Sequence, residues 1–390
     1  MSLGGAPLPL LRPKREQEGF RGTALELELD ALITSDIPSI STSQLDVPLP
    51  LSNSKTKMLR APPTLSILLA CISHASSLVA NNTECNGSST ICSRKYSNVS
   101  LIGTHGSAHV GGIHDWRINQ ERSVPFQLDA GIRFLQAQTH KHLGKLRMCH
   151  TSCWLLDAGT LQDYLATVKD WLDKNPNEVV SMLLTNYDRR PASEFDAVFS
   201  STGLDKFAFV PVSSPNTLAF DEWPTYGELI ASSSRLILFL DYEADTSTVP
   251  YILPQFDYFF ETPFNTLDPS FSQCAIDRGP KGSGGDGLMY IVNHFLDVEV
   301  GADVLEIPDK VLDIVVPDDS KRVLIPDVDS NFVTNAATGN GSIGAQAELC
   351  QIKWGRWPNV LLVDIFSRGD VFQAQHRLNG LRSTLVVVDE

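Results

Sequence analysis

Basic residues are the first shortage. Against 46 Asp and Glu, the 390-residue chain carries only 31 Lys and Arg, for a net charge of −15. A nucleic-acid surface must neutralise phosphates with cations, so nucleic-acid binding is excluded as a function class. An anionic bilayer would offer no general attraction either, so membrane contact is at most transient and a lipid substrate has to be gripped locally. Long apolar runs are also missing, and the one at residues 65–72 is too short to span a bilayer. No Gly-x-Gly-x-x-Gly follows a first strand, which leaves a dinucleotide site without support. Cys149 and Cys153 have no second cysteine pair at metal spacing, so a zinc site there is discounted. The C-terminal "LRSTLVVVDE" is apolar but short and ends in acids, so no anchor signal is expected from it.

What is present suits a secreted globular protein. Apolar residues make up 42% of the chain, enough for a sizeable core. Residues 1–57 are rich in Pro, Ser and Leu without helical or strand period, and are expected to be a disordered extension or to precede the true start. At Met58, "MLRAPPTLSILLACISHASSLVANN" sets a basic head before a short apolar run and small residues. That is the layout of a secretory signal peptide, here 58–80, leaving a mature chain of 81–390 and an extracellular location. Cys71 falls inside the signal, and the six remaining cysteines are an even number suited to an oxidising compartment. Local pairing points to Cys85–Cys92, Cys149–Cys153 and Cys274–Cys350, among the connectivities six cysteines allow. Sequons at Asn81, Asn86, Asn98 and Asn340 mark expected N-glycans.

From residue 98 on, apolar β-rich runs recur between amphipathic helical stretches. The runs are 98–105, 132–140, 146–150, 179–187, 235–242, 258–264, 289–295 and 359–366. Several are hydrophobic almost throughout, as strands of a parallel sheet covered on both faces must be. Residues 161–172 place Leu161, Tyr164, Leu165, Val168, Trp171 and Leu172 on one helical face, and Pro176 ends the pattern. Eight β/α units imply an α/β fold, a distorted (β/α)8 TIM-type barrel, with a doubly wound sheet as the alternative. Barrel enzymes carry their chemistry at the C-terminal strand ends. Those ends read His105, Gln136 and Gln138, His150, Asn186, Asp241, Glu261, Asn293 with His294, and Asp364. His105 and His150 are the catalytic candidates, and the others are expected to meet substrate. His109 and His114, in the loop after the first strand, are expected on the surface.

The runs "IGTHGSA", "FQLDAGIRFLQAQTH" and "CHTSCWLLDAGTLQDYLATVKDWLDKNPNEVV", with "YFFETPF", "CAIDR", "MYIVNHFLD" and "NVLLVDIF" further on, resemble the X-domain of phosphatidylinositol-specific phospholipase C. Secreted phospholipase C-like phosphodiesterases of that superfamily are the most similar. The resemblance implies a phosphodiesterase with two working histidines. His105 would take the proton of an attacking hydroxyl and His150 would protonate the leaving alkoxide, with Asp364 orienting the first ring. Imidazole titrates near neutral pH and suits both tasks. The chain departs from the pattern where phosphate charge is handled. Calcium-dependent members carry Asn after the first histidine and acids on strand two; metal-independent bacterial members carry Asp there and an Arg on strand two. Here the positions are Gly106, Gln136 and Gln138. Calcium draws most of its ligand charge from carboxylates, so no obligatory metal or other cofactor is expected. His140, Lys141, His142 and Lys145 are the nearby candidates for meeting the phosphate. Two rival functions stand beside the hydrolase. One is a weakened barrel that binds an inositol- or sugar-bearing ligand without turnover. The other is a glycosidase, for which Asp241 and Glu261 would be the paired carboxylates.

Overall fold

The computed structural model describes residues 84–280, 285–305, 307 and 322–381. The expected extension, the signal peptide and the Asn81 sequon lie outside the described residues.

Eight parallel strands form the sheet. In chain order they are β1 (Leu101–Thr104), β2 (Phe134–His142), β5 (Val180–Asn186), β6 (Leu236–Leu240), β7 (Ile252–Pro254), β8 (Phe259–Glu261), β9 (Met289–Asn293) and β12 (Val360–Val363). Their order across the sheet is β7-β6-β5-β2-β1-β12-β9-β8, and every step along it is parallel. Among the described residues no ladder joins β7 to β8, so the barrel is open along one seam. Both seam strands have three residues, and Pro254 at the end of β7 has no N–H to give a ladder.

Among the described residues eight α-helices accompany the strands: α1 (Val124–Asp129), α2 (Leu161–Lys174), α3 (Ala192–Thr202), α4 (Tyr226–Ala231), α5 (Gln255–Tyr258), α6 (Asn331–Thr334), α7 (Ile343–Trp354) and α8 (Val371–Leu378). Local chemistry starts and stops them. Thr160 caps α2 by accepting from the Asp163 N–H, and Thr225 with Glu228 forms a capping box on α4. Gly203 and Gly355 end α3 and α7 in the left-handed conformation.

One expected barrel strand is something else. Residues 146–150 fall largely in β3 (Lys145–Cys149), which runs antiparallel to the far half of β2 and continues into β4 (Asp157–Thr160). Leu143 and Gly144, both at positive φ, make the two-residue turn, and so short a link can only return a strand antiparallel. The eighth barrel strand is β7 instead. A second ribbon, β10 (Asp297–Gly301) with β11 (Arg322–Pro326), follows β9.

The parallel strands are buried on both faces. Leu101, Phe134, Leu183, Phe239, Phe259, Ile291 and Leu362 pack into the barrel interior. Their neighbours Ile102, Leu135, Leu184, Leu240, Phe260, Val292 and Leu361 pack outward with Leu165, Val168, Phe195 and Ala347 of the helices. This period-2 alternation decides which strand-end residues reach the barrel mouth. Counted from the interior set, His105, Gln136, Gln138, Asp241, Glu261, Asn293 and Asp364 fall on the inner side. Asn186 and His294 fall on the outer side.

The three disulfides are Cys85–Cys92, Cys149–Cys153 and Cys274–Cys350, matching the local pairing. The second staples the turn that holds His150. The third ties the segment before Arg278 to α7.

Candidate active site

At the end of β1, His105 donates from Nδ1 to Asp364 Oδ1 of the adjacent β12, at 2.9 Å. That hydrogen bond fixes the tautomer and leaves Nε2 as a lone pair. The ring stacks on Phe295 with centroids 3.9 Å apart and planes 6° from parallel, and 16% of its side chain is exposed. Burial pulls the His105 imidazolium down, but the charge and hydrogen bond of Asp364, helped by Asp297 and Glu261, more than offset it. Its pKa is therefore held above the ordinary 6.5. Desolvation also raises Asp364, against the pull of His105.

His150 follows β3 and is partly exposed, but its Nδ1 is buried without a hydrogen-bond partner. Burial pushes its pKa down to about 3, the charge of His105 adds to that, and the Arg117 carbonyl and Asp115 offset only part. Two imidazoles close enough to feel each other's charge thus have opposite shifts, which place the pair's single proton on His105 in the free site.

β2 holds both histidine-bearing turns. Gln136 Oε1 accepts the N–H of Gly106, and Gln138 Oε1 accepts the N–H of Thr151, each at 2.8 Å. Each of these two inward-facing amides thus grips the residue that follows one histidine. A backbone N–H can only donate, so each carboxamide must turn its oxygen to the turn and leave its NH2 for the mouth. A calcium ion does not fit this set. The oxygens of Gln136 and Gln138 are engaged, Asp364 is paired with His105, and Asp241 and Glu261 are paired with Arg278.

The backbone after each of the three groups is left-handed: Gly106 at φ 54°, Thr151 at 61° and Ile365 at 42°. For β-branched Thr151 and Ile365 such a conformation costs on the order of 1–3 kcal/mol each, and strain of this kind gathers at functional sites. Gly106 is there for a second reason. A Cβ on it would stand 2.2 Å from Asn119 Oδ1, because the Asn119 carboxamide fills that space. We expect Gly106→Ala to lower stability by about 1–3 kcal/mol, from the clash and the strained φ together. It should cut turnover at least about tenfold as His105 shifts. Thermal unfolding and steady-state kinetics check both, and an alanine tolerated in both would remove Asn119 from the account.

The other expected residues divide. Arg278 donates to Asp241 at 3.1 Å and to Glu261 at 3.3 Å, while Asn293 and Gln255 also donate to Glu261. The guanidinium between the two carboxylates takes the place a glycosidic oxygen would need, which argues against the glycosidase. Asn186 is not at the mouth. Its side chain closes the turn after β5 by bonding Arg190 and the Tyr242 carbonyl. His294 is not there either. Its ring is fully buried between Gln346 and the Thr334 carbonyl, and burial lowers its pKa to about 4. His140 pairs with Asp188 and Lys141 with Glu194, so neither offers a free cation.

Four residues of the site went unforeseen: Arg278, Asn119, Asp297 and a buried His109. His109 was expected on the surface, yet it is fully buried with its ring 4.8 Å from that of His150. Burial and the neighbouring Asp364 raise the Asp297 pKa to about 7.

Comparison with known proteins finds a family and several relatives. A family model described as PI-PLC X 1 matches residues 91–379. A PI-PLC X domain-containing protein 1 of Arthroderma benhamiae is 45% identical over 318 residues, covering 81% of this chain and 96% of its own. An uncharacterized secreted protein of the same fungus is 40% identical over 309 residues, covering 77% of this chain and 65% of its own. Among solved structures, a phosphatidylinositol-specific phospholipase C from Listeria monocytogenes aligns with 76% of this chain and 98% of its own at 14% identity, with a TM-score of 0.44. No helix among the described residues is long and apolar enough to cross a membrane. With a family model spanning both histidines and Asp364, and a near full-length relative at 45% identity, this chain belongs to the PI-PLC X family.

Proposed function

We propose that this chain is a secreted phosphoric diester hydrolase that cleaves a phospholipid or phosphoinositide-type diester by acid/base catalysis with two histidines and no obligatory metal. The His105–Asp364 pair, with His150 close enough to feel the His105 charge, carries the reading. His105 Nε2 takes the proton of a substrate hydroxyl as its oxygen attacks phosphorus. His150 protonates the departing alkoxide, leaving a cyclic phosphate, and water reopens the ring with the two roles exchanged.

The phosphate negative charge meets the NH2 groups of Gln136 and Gln138, donors held in place before substrate arrives. Asp241, Glu261, Arg278 and Asn293 offer a polyol head group both donors and acceptors. Trp154, Tyr187 and Phe264 are exposed, at 61%, 70% and 44%, and offer an apolar lipid a transient contact. Of the described sequons, Asn98 and Asn340 are exposed and are the glycan acceptors we propose. Asn86 instead holds the Val179 backbone through both ends of its carboxamide, at 2.7 and 3.1 Å.

The test is hydrolysis of phosphatidylinositol and of glycerophosphoinositol in EDTA, across pH. The working pair carries one proton in total, a state spanning from about pH 3 up to the raised value of His105, and turnover uses the fraction of it in which the proton sits on His150. We expect kcat/KM to stay flat across that acidic window and to fall about tenfold per pH unit above it. Activity that climbs into the alkaline range, or that EDTA abolishes, would sink this mechanism. No turnover of either substrate would favour the ligand-binding barrel.

A further inference from the structure

Two buried imidazole nitrogens have no partner, His109 Nε2 and His150 Nδ1, and the centroids of their rings lie 4.8 Å apart. A buried polar atom left unpaired costs about 1–3 kcal/mol, so a neighbouring pair of them calls for a reason. His109 is held rigidly. Its N–H donates to Gly106 O at 2.7 Å, and its carbonyl accepts from the N–H groups of Asn119 and Gln120, both at 3.1 Å. Its Nδ1 lies 3.2 Å from Asn119 Oδ1. The Asn119 carboxamide also hydrogen-bonds the Asp364 carboxylate, which can only accept, so its NH2 end faces Asp364 and its oxygen turns toward His109. That oxygen accepts, so His109 is the Nδ1–H tautomer and its Nε2 is a lone pair, on a ring 4.8 Å from that of His150.

We propose that His109 is a positioning residue for His150, its Nε2 accepting the Nδ1–H of the protonated His150 ring and holding the opposite N–H toward the leaving oxygen. This rests on the assignment of His150 as the general acid. The proton count closes over the cycle. Imidazolium His150 gives its Nε2 proton to the leaving alkoxide and becomes neutral, with Nδ1–H still donated to His109. In the second step the proton of the attacking water returns to Nε2. His109 remains neutral throughout, its own Nδ1–H on Asn119.

A neutral acceptor suits an acid as a carboxylate suits a base. Asp364 orients His105 and makes it more basic, whereas His109 orients His150 without that effect. The groups facing His109 are His150, His105 and His140, and burial with the charge of His150 keeps its pKa well below the ordinary value. His150 is faced in addition by Asp115 and the Arg117 carbonyl.

The experiment compares two esters of myo-inositol 1-phosphate, one with glycerol and one with 4-nitrophenol as leaving group. A nitrophenolate departs without an acid; a glycerol alkoxide needs one. His109→Phe should lose about 10- to 100-fold in kcat on the glycerol ester, part of what a general acid supplies, and less than about threefold on the nitrophenyl ester. His109→Gln, which sets an amide oxygen near the Nε2 position, should restore most of the loss. Equal losses on both esters would overturn the role. His150→Ala is the control: if it too shows no rescue by nitrophenol, the acid assignment itself falls, and if it alone is rescued, only His109 does. Nitrogen NMR of the histidine rings in the unmutated protein decides independently of folding or turnover. The Nδ1–H tautomer at His109 supports the proposal, and the Nε2–H tautomer ends it.

Discussion

His105→Ala is expected to reduce kcat by about 10²–10⁴, the range a general base supplies, with KM changed by no more than a few-fold. The reasoning is geometric. Nδ1 is tied to Asp364 and the ring face to Phe295, so Nε2 is the one basic atom of that ring left to take a proton. Asp364→Asn should fall close behind, and it separates charge from mere placement. An asparagine can still accept from Nδ1–H, but it no longer stabilises the imidazolium, and its NH2 can invite the wrong tautomer. Removing the carboxylate charge also lowers the His105 pKa, since that charge is what lifts it against burial. The alkaline fall of kcat/KM should therefore move to lower pH in Asp364→Asn. A variant that loses rate with an unmoved pH limb would show Asp364 to be structural, and His105→Ala with more than about a tenth of wild-type turnover would exclude His105 as the base.

The sequence carried the barrel because its strands are buried on both faces and so appear as unbroken apolar runs. The same continuity hid the register. Nothing in "MYIVNHF" distinguishes an inward from an outward side, so Asn293 and His294 looked alike, although one faces the mouth and the other is sealed behind the sheet. Strand β7, three residues ending in Pro254, is too short to stand out by pattern. The residues that complete the site were less accessible still. Arg278 sits on an irregular segment that meets Glu261 through an isolated bridge. Asn119 and His109 belong to the loop between β1 and α1, where no period assigns a side. Gly106 and the two glutamines read as missing charge-handling groups. In the structure each has an occupation: Gly106 makes room for Asn119, and Gln136 and Gln138 grip the turns behind the histidines.

Those grips explain how a site can tolerate strained backbone. Thr151 is pinned from one side by Gln138 and from the other by the Cys149–Cys153 disulfide. Ile365 is pinned by its N–H on the Asn119 carbonyl at 2.8 Å and by its carbonyl on Asn335. Without these ties each turn would relax toward an ordinary β or α conformation and carry the neighbouring His150 or Asp364 side chain with it.

The largest stability effect is expected at Arg278, where one cation serves two buried acids. The side chains of Asp241 and Glu261 are 3% and 4% exposed, and that of Arg278 is 24%. Removing one partner of a buried ion pair leaves charge in a poorly solvated place, a loss of about 3–5 kcal/mol, and here two carboxylates would be stranded together. Arg278→Met keeps the length and apolar stem but not the charge, so it should lower unfolding free energy by about 3 kcal/mol or more at neutral pH. The sign of the pH dependence follows from Asp241. Burial already raises its pKa, and Arg278 opposes the rise. Without Arg278 the folded-state pKa climbs further above the unfolded value. The deficit then grows as pH rises through the unfolded pKa and shrinks on acidification, as the carboxyl becomes neutral. Neutral amides should do the same at pH 7: Arg278→Met with Asp241→Asn and Glu261→Gln should recover most of the lost stability, a coupling that chemical denaturation of the single and combined variants measures directly. If the single variant is as stable as the parent, the ion pairs are ornamental and Arg278 is free to meet substrate. If the combined variant is no better than the single one, the loss comes from packing of the Arg278 stem against Phe256, whose ring lies 5.1 Å from the guanidinium, and not from charge.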